Sequence, residues 1–347
     1  MKSWWKRLGA CVFGLLMSWQ ALAETESGRM SRKDAVDMAA QLVEAVETQA
    51  LPPLDPAVQA QAKEALLRTV SSSDAGDLDR ATVYAAARLY LLTIDSGGHT
   101  HLWSRQHTQS FEASTHPADA GRADVARIVH VGGSDVLVVR PPQTTFTEPS
   151  AAHDYASRLT TGVDAALAHS RACALVVDLA DQKGGNAWPA IAVLGALATP
   201  ANRAREEDGT GRRAPVLSQQ AYALRRDEFG PLPASPLAAF TGTAFGIVLA
   251  PETASAGEMV AMVLSGEPGA RTFGRPSYGV TSINTTLPMP DGALLMLTVA
   301  RYAMDGEPVI RGSLQPDFPA DSTEKPEQSV QRAAAWASAN SALCRVR

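Results

Sequence analysis

The chain has 347 residues, 45% hydrophobic and 19% charged, with 31 basic against 36 acidic side chains and a formal charge of −5. That apolar share excludes a disordered chain, and three cysteines exclude a disulfide scaffold or a multi-zinc module. No block of Lys and Arg supplies the basic footprint of a nucleic-acid binder, and the length suffices for one large or two ordinary domains.

Residues 1–23 read as a secretory signal peptide. Lys2, Lys6 and Arg7 form a positive start, Leu8 to Trp19 an apolar stretch, and Ala21-Leu22-Ala23 a small-residue cleavage pattern. The apolar stretch is shorter than the ~20 residues that span a bilayer, so no membrane anchor is expected after cleavage. The mature protein is expected in the periplasm or outside the cell. Cys173 and Cys344 then remain in an oxidising compartment, where they pair if their Cα atoms come within bridging distance.

Residues 24–105 carry three helical patterns. Ser31 with Asp34 opens the first, whose apolar positions are Val36, Ala39, Ala40, Val43 and Val46, and Pro52-Pro53 ends it. The second runs from Pro56 to Val70 with Val58, Ala62, Ala65, Leu66 and Thr69 on one side. A polar break, Ser71 to Asp74, precedes the third, from Asp79 to about Thr93.

Residues 106–347 alternate strands with helices. Arg127 to Val131 and Val136 to Val139 are β-branched runs joined by Gly132-Gly133, the pattern of a hairpin. His153 to Ala168 is a helix, and Ala174 to Leu179 a fully apolar strand. Trp188 to Leu197 is helical, Ala244 to Ala250 a second apolar strand, and Ser255 to Leu264 a helix. Ala293 to Ala300 is a late strand, and Ser329 to Ser341 closes the chain as a helix. Asn202 to Ser218, polar and rich in Arg, reads as a long exposed loop. Apolar strands each followed by a helix predict an α/β core with a partly parallel sheet.

Three turns can carry chemistry. Pro251 to Glu258 follows an apolar strand and opens a helix, so the Ser255 hydroxyl serves there either as an N-cap or as a nucleophile beside first-turn N–H groups such as that of Ala256. Gly97-Gly98-His99-Thr100-His101 offers an imidazole that titrates near neutrality, as base or as an ordinary loop histidine. His99 and His101, two apart on an extended segment, face opposite ways and do not suit a shared metal. Asp178 to Asn186 holds Gly184-Gly185, where the backbone comes close to a ligand and turns N–H groups toward its carbonyl. No metal or cofactor is expected.

Taken in order, these segments resemble the C-terminal processing (tail-specific) serine peptidases, a family that includes the tricorn core protease. The matching residues are Gly98-His99-Thr100, then Asp178-Leu179 through Gly184-Gly185, then Thr253 to Glu258. Phe273-Gly274-Arg275-Pro276-Ser277-Tyr278-Gly279, Leu287 to Gly292 and Gln315-Pro316-Asp317 follow, so that the resemblance spans roughly residues 30–320. It implies a crotonase-like α/β core with a mixed sheet after a small three-helix N-terminal region. It implies a peptide or protein substrate, Ser255 as nucleophile, and an oxyanion hole from Ala256 with Gly184 or Gly185. Val280 stands where many members carry a lysine base, and Arg275 is too basic for that task. The histidine of the tricorn-like branch maps to His99, with His101 as the neighbouring imidazole. Gly98 replaces the branch's supporting serine, and Glu307 is the candidate for its supporting glutamate. About 70 residues between His99 and Ala174, already holding a hairpin and a helix, leave no room for the family's PDZ module. The implied function is an exported serine peptidase; the alternative is an inactive module of the same fold that binds a hydrophobic ligand or a peptide.

Overall fold

The structure, a computed structural model, describes residues 28–71, 76–94, 99–114, 125–143, 149–217 and 234–346. The signal peptide, the break at Ser72 to Asp74 and the Gly97-Gly98 pair lie outside the described residues. The chain divides into two compact units, residues 1–114 with 284–300, and residues 115–283 with 301–347.

In the first unit β1 (Arg29–Met30) leads into α1 (Arg32–Gln49), whose N-cap Ser31 accepts from the Asp34 amide at 3.1 Å. Its buried face is Ala35, Met38, Ala39, Leu42, Val43, Ala45 and Val46. Val36 and Ala40, expected on that face, are exposed, because the larger Met38 and Leu42 turn the stripe by about one residue. In α2 (Pro56–Ser71) only Leu66 and Val70 are fully buried, and Val58 is exposed. After β2 (Leu78–Asp79), Asp79 caps α3 (Arg80–Leu91), its carboxylate accepting from the Thr82 amide at 3.0 Å. Then come β3 (His101–Trp103) and the polar α4 (Arg105–Ser114), neither of which shows an apolar stripe in the sequence.

The helices share their apolar cluster with Met289, Ala293, Leu295 and Leu297, and β3 pairs antiparallel with Leu294 to Met296. The expected division near residue 105 therefore misses a return of the chain: residues 284–300, counted with the core, bury their apolar side chains in the helical unit.

The second unit is built on a sheet. A hairpin of β4 (Ala126–Val131) and β5 (Ser134–Val139) turns at Gly132-Gly133, and α5 (Pro149–Leu167) follows. Next are β6 (Ala174–Asp178), α6 (Trp188–Leu194), β7 (Ala204–Asp208) and β8 (Arg213–Pro215). Then come β9 (Phe245–Leu249), α7 (Ala256–Ser265), β10 (Ala270–Gly274), β11 (Ser282–Pro288) and β12 (Leu294–Met304), the last two with residues in both units. β13 (Phe318–Pro319), α8 (Pro326–Asn340) and α9 (Ala342–Arg345) complete the unit.

The sheet order is β13-β10-β9-β6-β5-β4; its pairings are parallel except for β4 with β5. This is the expected mixed α/β core. Alternation along the strands splits it into layers. Val136, Val138, Ala174 and Val176 pack with Val330, Ala333 and Ala334 of α8, whereas Leu137, Val139, Leu175 and Val177 pack with residues of α5, α6 and α7. With both faces covered, β6 and β9 are buried at every position.

The segment 202–218 is not the exposed loop its polarity suggested: residues 204–215 form the antiparallel hairpin β7–β8. Its alternation is written in charged side chains, with Glu207 paired to Arg213 at 2.7 Å and Arg205 to Asp305 at 2.9 Å, so a hydrophobic pattern does not reveal it. No helix among the described residues is long and apolar enough to cross a membrane.

Cys173, just before β6, and Cys344, in α9, form a disulfide. Reducing it is expected to lower the unfolding free energy by about 2–5 kcal/mol, read as a fall in the urea midpoint. An unchanged midpoint in reductant contradicts a stabilising role.

Candidate active site

β9 ends in the buried interior, and six residues later Ser255 stands at the start of α7 with φ 49° and ψ −108°. It is the one non-glycine residue with positive φ among the described residues. An ordinary N-cap takes the extended region, so this serine holds a conformation costing on the order of 1–3 kcal/mol that capping does not require. A sharp strand-to-helix turn presents the nucleophile in α/β-hydrolases.

The turn is held at Thr253, Ala254 and Ser255. Thr253, fully buried, donates its hydroxyl to the Leu179 carbonyl at 2.8 Å and accepts from the Ala250 amide at 3.0 Å. The Ala254 amide donates to the Gln182 carbonyl at 2.9 Å, and the Ser255 carbonyl accepts from the Met259 amide at 2.9 Å.

The second wall comes from the loop after β6. β6 and β9 are neighbouring parallel strands, with Asp178 in register with Val248, so the loops leaving their C-terminal ends meet. Asp178 is buried and accepts from Arg140 Nε at 2.8 Å and from the Ala180 amide at 3.1 Å, which sets the exit of the loop. Gly184, at φ +122°, lies directly against the serine: a Cβ there would stand 3.2 Å from Ser255 Cβ. Gly185 follows at φ +107°. Three of the expected residues, Ser255, Ala256 and Gly184, are thereby brought together within one unit, with Gly185 next in chain. The Ala256 N–H belongs to the first turn of α7, whose amides have no partner within the helix itself.

Gln182, which the sequence reading passed over, fastens the two loops. It is buried, its side-chain amide donates to the Pro142 carbonyl at 2.9 Å, and its backbone carbonyl takes the Ala254 amide. The close approach explains Gly257, where a Cβ would lie 2.5 Å from that carbonyl oxygen. A buried amide in a glycine-rich turn is the one signal that could have found it.

Glu258 is the hub. Its side chain is fully buried and takes four donors. Oε2 accepts from the amides of Ser255 and Val280, each at 2.9 Å, and Oε1 accepts from the Gly279 amide at 2.7 Å and from the Ser277 hydroxyl. The Ser277 oxygen in turn accepts from the Leu314 amide at 2.8 Å. One carboxylate thus joins the serine turn to the segment 277–280.

Three expected residues remain, His99, His101 and Glu307. His99 belongs to the first unit, where it is buried and its carbonyl accepts from Asn284 Nδ2 at 2.7 Å. Asn284 Oδ1 accepts from the Thr298 hydroxyl at 3.0 Å, which accepts from the Thr100 hydroxyl at 2.9 Å, so the backbone around His99 is anchored. His101, in β3, pairs in register with Met296, and its ring stacks on Trp103 at 6.3 Å. Glu307 is exposed and ion-paired with Arg203 at 2.7 Å.

Glu258→Gln replaces one of two accepting oxygens by a donor facing donors. It is expected to lower the unfolding free energy by about 2–4 kcal/mol in urea denaturation. Unchanged stability contradicts the hub.

The pattern of peptidase family S41 matches residues 144–320, from before α5 to just past Asp317. Among solved structures, a lipoprotein from Streptococcus agalactiae superposes with a TM-score of 0.65 at 16% identity, over 88% of this chain and 96% of that one. A photosystem II D1 C-terminal processing protease does so with a TM-score of 0.54 at 15% identity, over 87% and 97%. Likeness at these identities is one of fold. No curated protein sequence matches the chain. The family match covers more than half of the sequence and contains both loops that meet at Ser255, and on that ground the chain belongs to peptidase family S41.

Proposed function

We propose that the protein is an exported serine peptidase that cleaves peptide bonds through an acyl-enzyme on Ser255. The observation that carries this reading is the positive φ of Ser255, held by buried hydrogen bonds with the backbone of Gly184 against it. A helix cap needs neither the strain nor the bare glycine; an attacking hydroxyl with N–H groups beside it needs both.

In the proposed reaction Ser255 Oγ attacks the scissile carbonyl while His99 accepts its proton. The amides of Ala256 and of Gly184 or Gly185 donate to the oxyanion. Collapse breaks the C–N bond, and His99 returns the proton to the leaving amine. Water then enters with His99 again as base, and the acyl group leaves as a carboxylate. His101 is the spare imidazole. Glu307 is left out of the scheme because its carboxylate is engaged by Arg203 at the surface. Export is supported by the leader pattern at residues 1–23 and by the Cys173–Cys344 disulfide, a bond typical of oxidising compartments.

The test is labelling of the intact protein by a fluorophosphonate, followed as a rate. The native chain is expected to take up one label, and Ser255→Ala none. His99→Ala is expected to slow labelling by about 10²–10⁴-fold, with His101→Ala staying within a few-fold of native. Labelling that persists in Ser255→Ala, or at the native rate in His99→Ala, removes the corresponding role.

Gly184→Ala forces a strained backbone and crowds Ser255, and is expected to slow labelling by about 10²–10³-fold with the circular dichroism spectrum unchanged. A native rate contradicts a tight fit between glycine loop and serine.

A further inference from the structure

Large apolar side chains exposed among the described residues are mostly aliphatic, and only two are aromatic, Phe318 and Tyr278. Phe318 is 37% exposed and stacks on Phe273 with ring centroids 4.7 Å apart, so packing accounts for it. Tyr278 is 68% exposed. A single exposed aromatic is ordinary on a protein surface; the backbone beneath this one is not.

The Tyr278 amide donates to the carbonyl of Thr253, two residues before Ser255, at 2.8 Å. On one side Ser277 donates its amide to the Leu314 carbonyl at 3.1 Å and its hydroxyl to Glu258. On the other, the Gly279 amide donates to Glu258 Oε1 at 2.7 Å, and Val280 shares with Ser255 the same carboxylate oxygen. Main chain is therefore pinned on both sides of a ring left in water. Burying that ring would favour the fold, so its exposure on a fixed mount is an arrangement for something that arrives. Tyrosine suits such a task because a rigid, broad ring is offered at the entropic cost of two side-chain torsions. Tyr278 offers an aromatic ring, and Glu258, the carboxylate to which its neighbours in the chain are tied, is buried with both oxygens engaged and so does not offer itself to a cationic side chain. The occupant favoured is therefore apolar.

We propose that Tyr278 determines specificity: its ring packs against a large apolar side chain, Leu, Ile, Met, Phe or Tyr, of a peptide whose nearby bond Ser255 attacks. The assignment rests on the peptidase reading above.

The test uses the full chain and a synthetic peptide mixture with one position randomised, cleavage being read by mass spectrometry. Native protein is expected to cut preferentially within two residues of a large apolar side chain. Tyr278→Ala is expected to lose about tenfold or more in kcat/KM on those peptides while cutting alanine-bearing ones at the native rate. Tyr278→Phe is expected to keep the native profile, and fluorophosphonate labelling to proceed equally in all three. An unchanged profile in Tyr278→Ala, a loss uniform over all peptides, or a native preference for Lys or Arg instead overturns the assignment while labelling leaves the peptidase reading intact. A native protein that neither labels nor cleaves overturns both.

Discussion

The carboxylate of Glu258 is the constraint on which the candidate site depends. Placing such a group out of water costs several kcal/mol unless its oxygens are satisfied, and here four donors converge on them. Because two of the donors are the amides of Ser255 and Val280, satisfying the charge and fixing the turn are one event. The positive φ of Ser255 is strain that a lone turn would relax. It persists because the donor at its own nitrogen, the acceptor at its carbonyl, and the amides and hydroxyl of the two residues before it are all committed.

The sheet supplies the rest. Residues 184 and 255 are far apart in sequence, yet each follows the C-terminal end of one of two adjacent parallel strands. Parallel pairing with helical crossovers sends both exits to the same edge, the place where ligands meet α/β sheets in general. Gly184 and Gly257 then let the two loops approach to a distance that a side chain would prevent. Gln182 and Thr253 close the remaining backbone donors and acceptors across the junction. Family membership agrees with this construction, and the solved structures most usefully compared show that the fold tolerates sequence identity near 15%.

The apolar strands Ala174 to Leu179 and Ala244 to Ala250, the Gly132-Gly133 hairpin and the cap at Ser31 were legible because each is a local pattern. The serine turn was legible as a turn of small residues between an apolar strand and a helix, while the local pattern left Ser255 open between N-cap and nucleophile. The hairpin β7–β8 was hidden because its alternation is carried by Arg and Glu and is stabilised by ion pairs to Asp305 and within itself. The assignment of Leu295 and Leu297 to the helical unit was hidden for a different reason: burial against partners some 200 residues away leaves no trace in a window of ten. Glu258 was visible as a letter of a motif, but its four donors come from residues 255 to 280, and only folding brings them to one point.

If this carboxylate holds Ser255 in a conformation competent for acylation, its replacement must slow acylation. The most direct measurement is the pre-steady-state release of nitrophenol from a p-nitrophenyl ester by native and Glu258→Gln protein, each shown to be folded by circular dichroism. A burst of one equivalent per chain is expected from the native protein, and a burst slowed by about 100-fold or more from the variant. Absence of a burst from the native protein, or a burst at the native rate from folded Glu258→Gln, would contradict this role of the carboxylate.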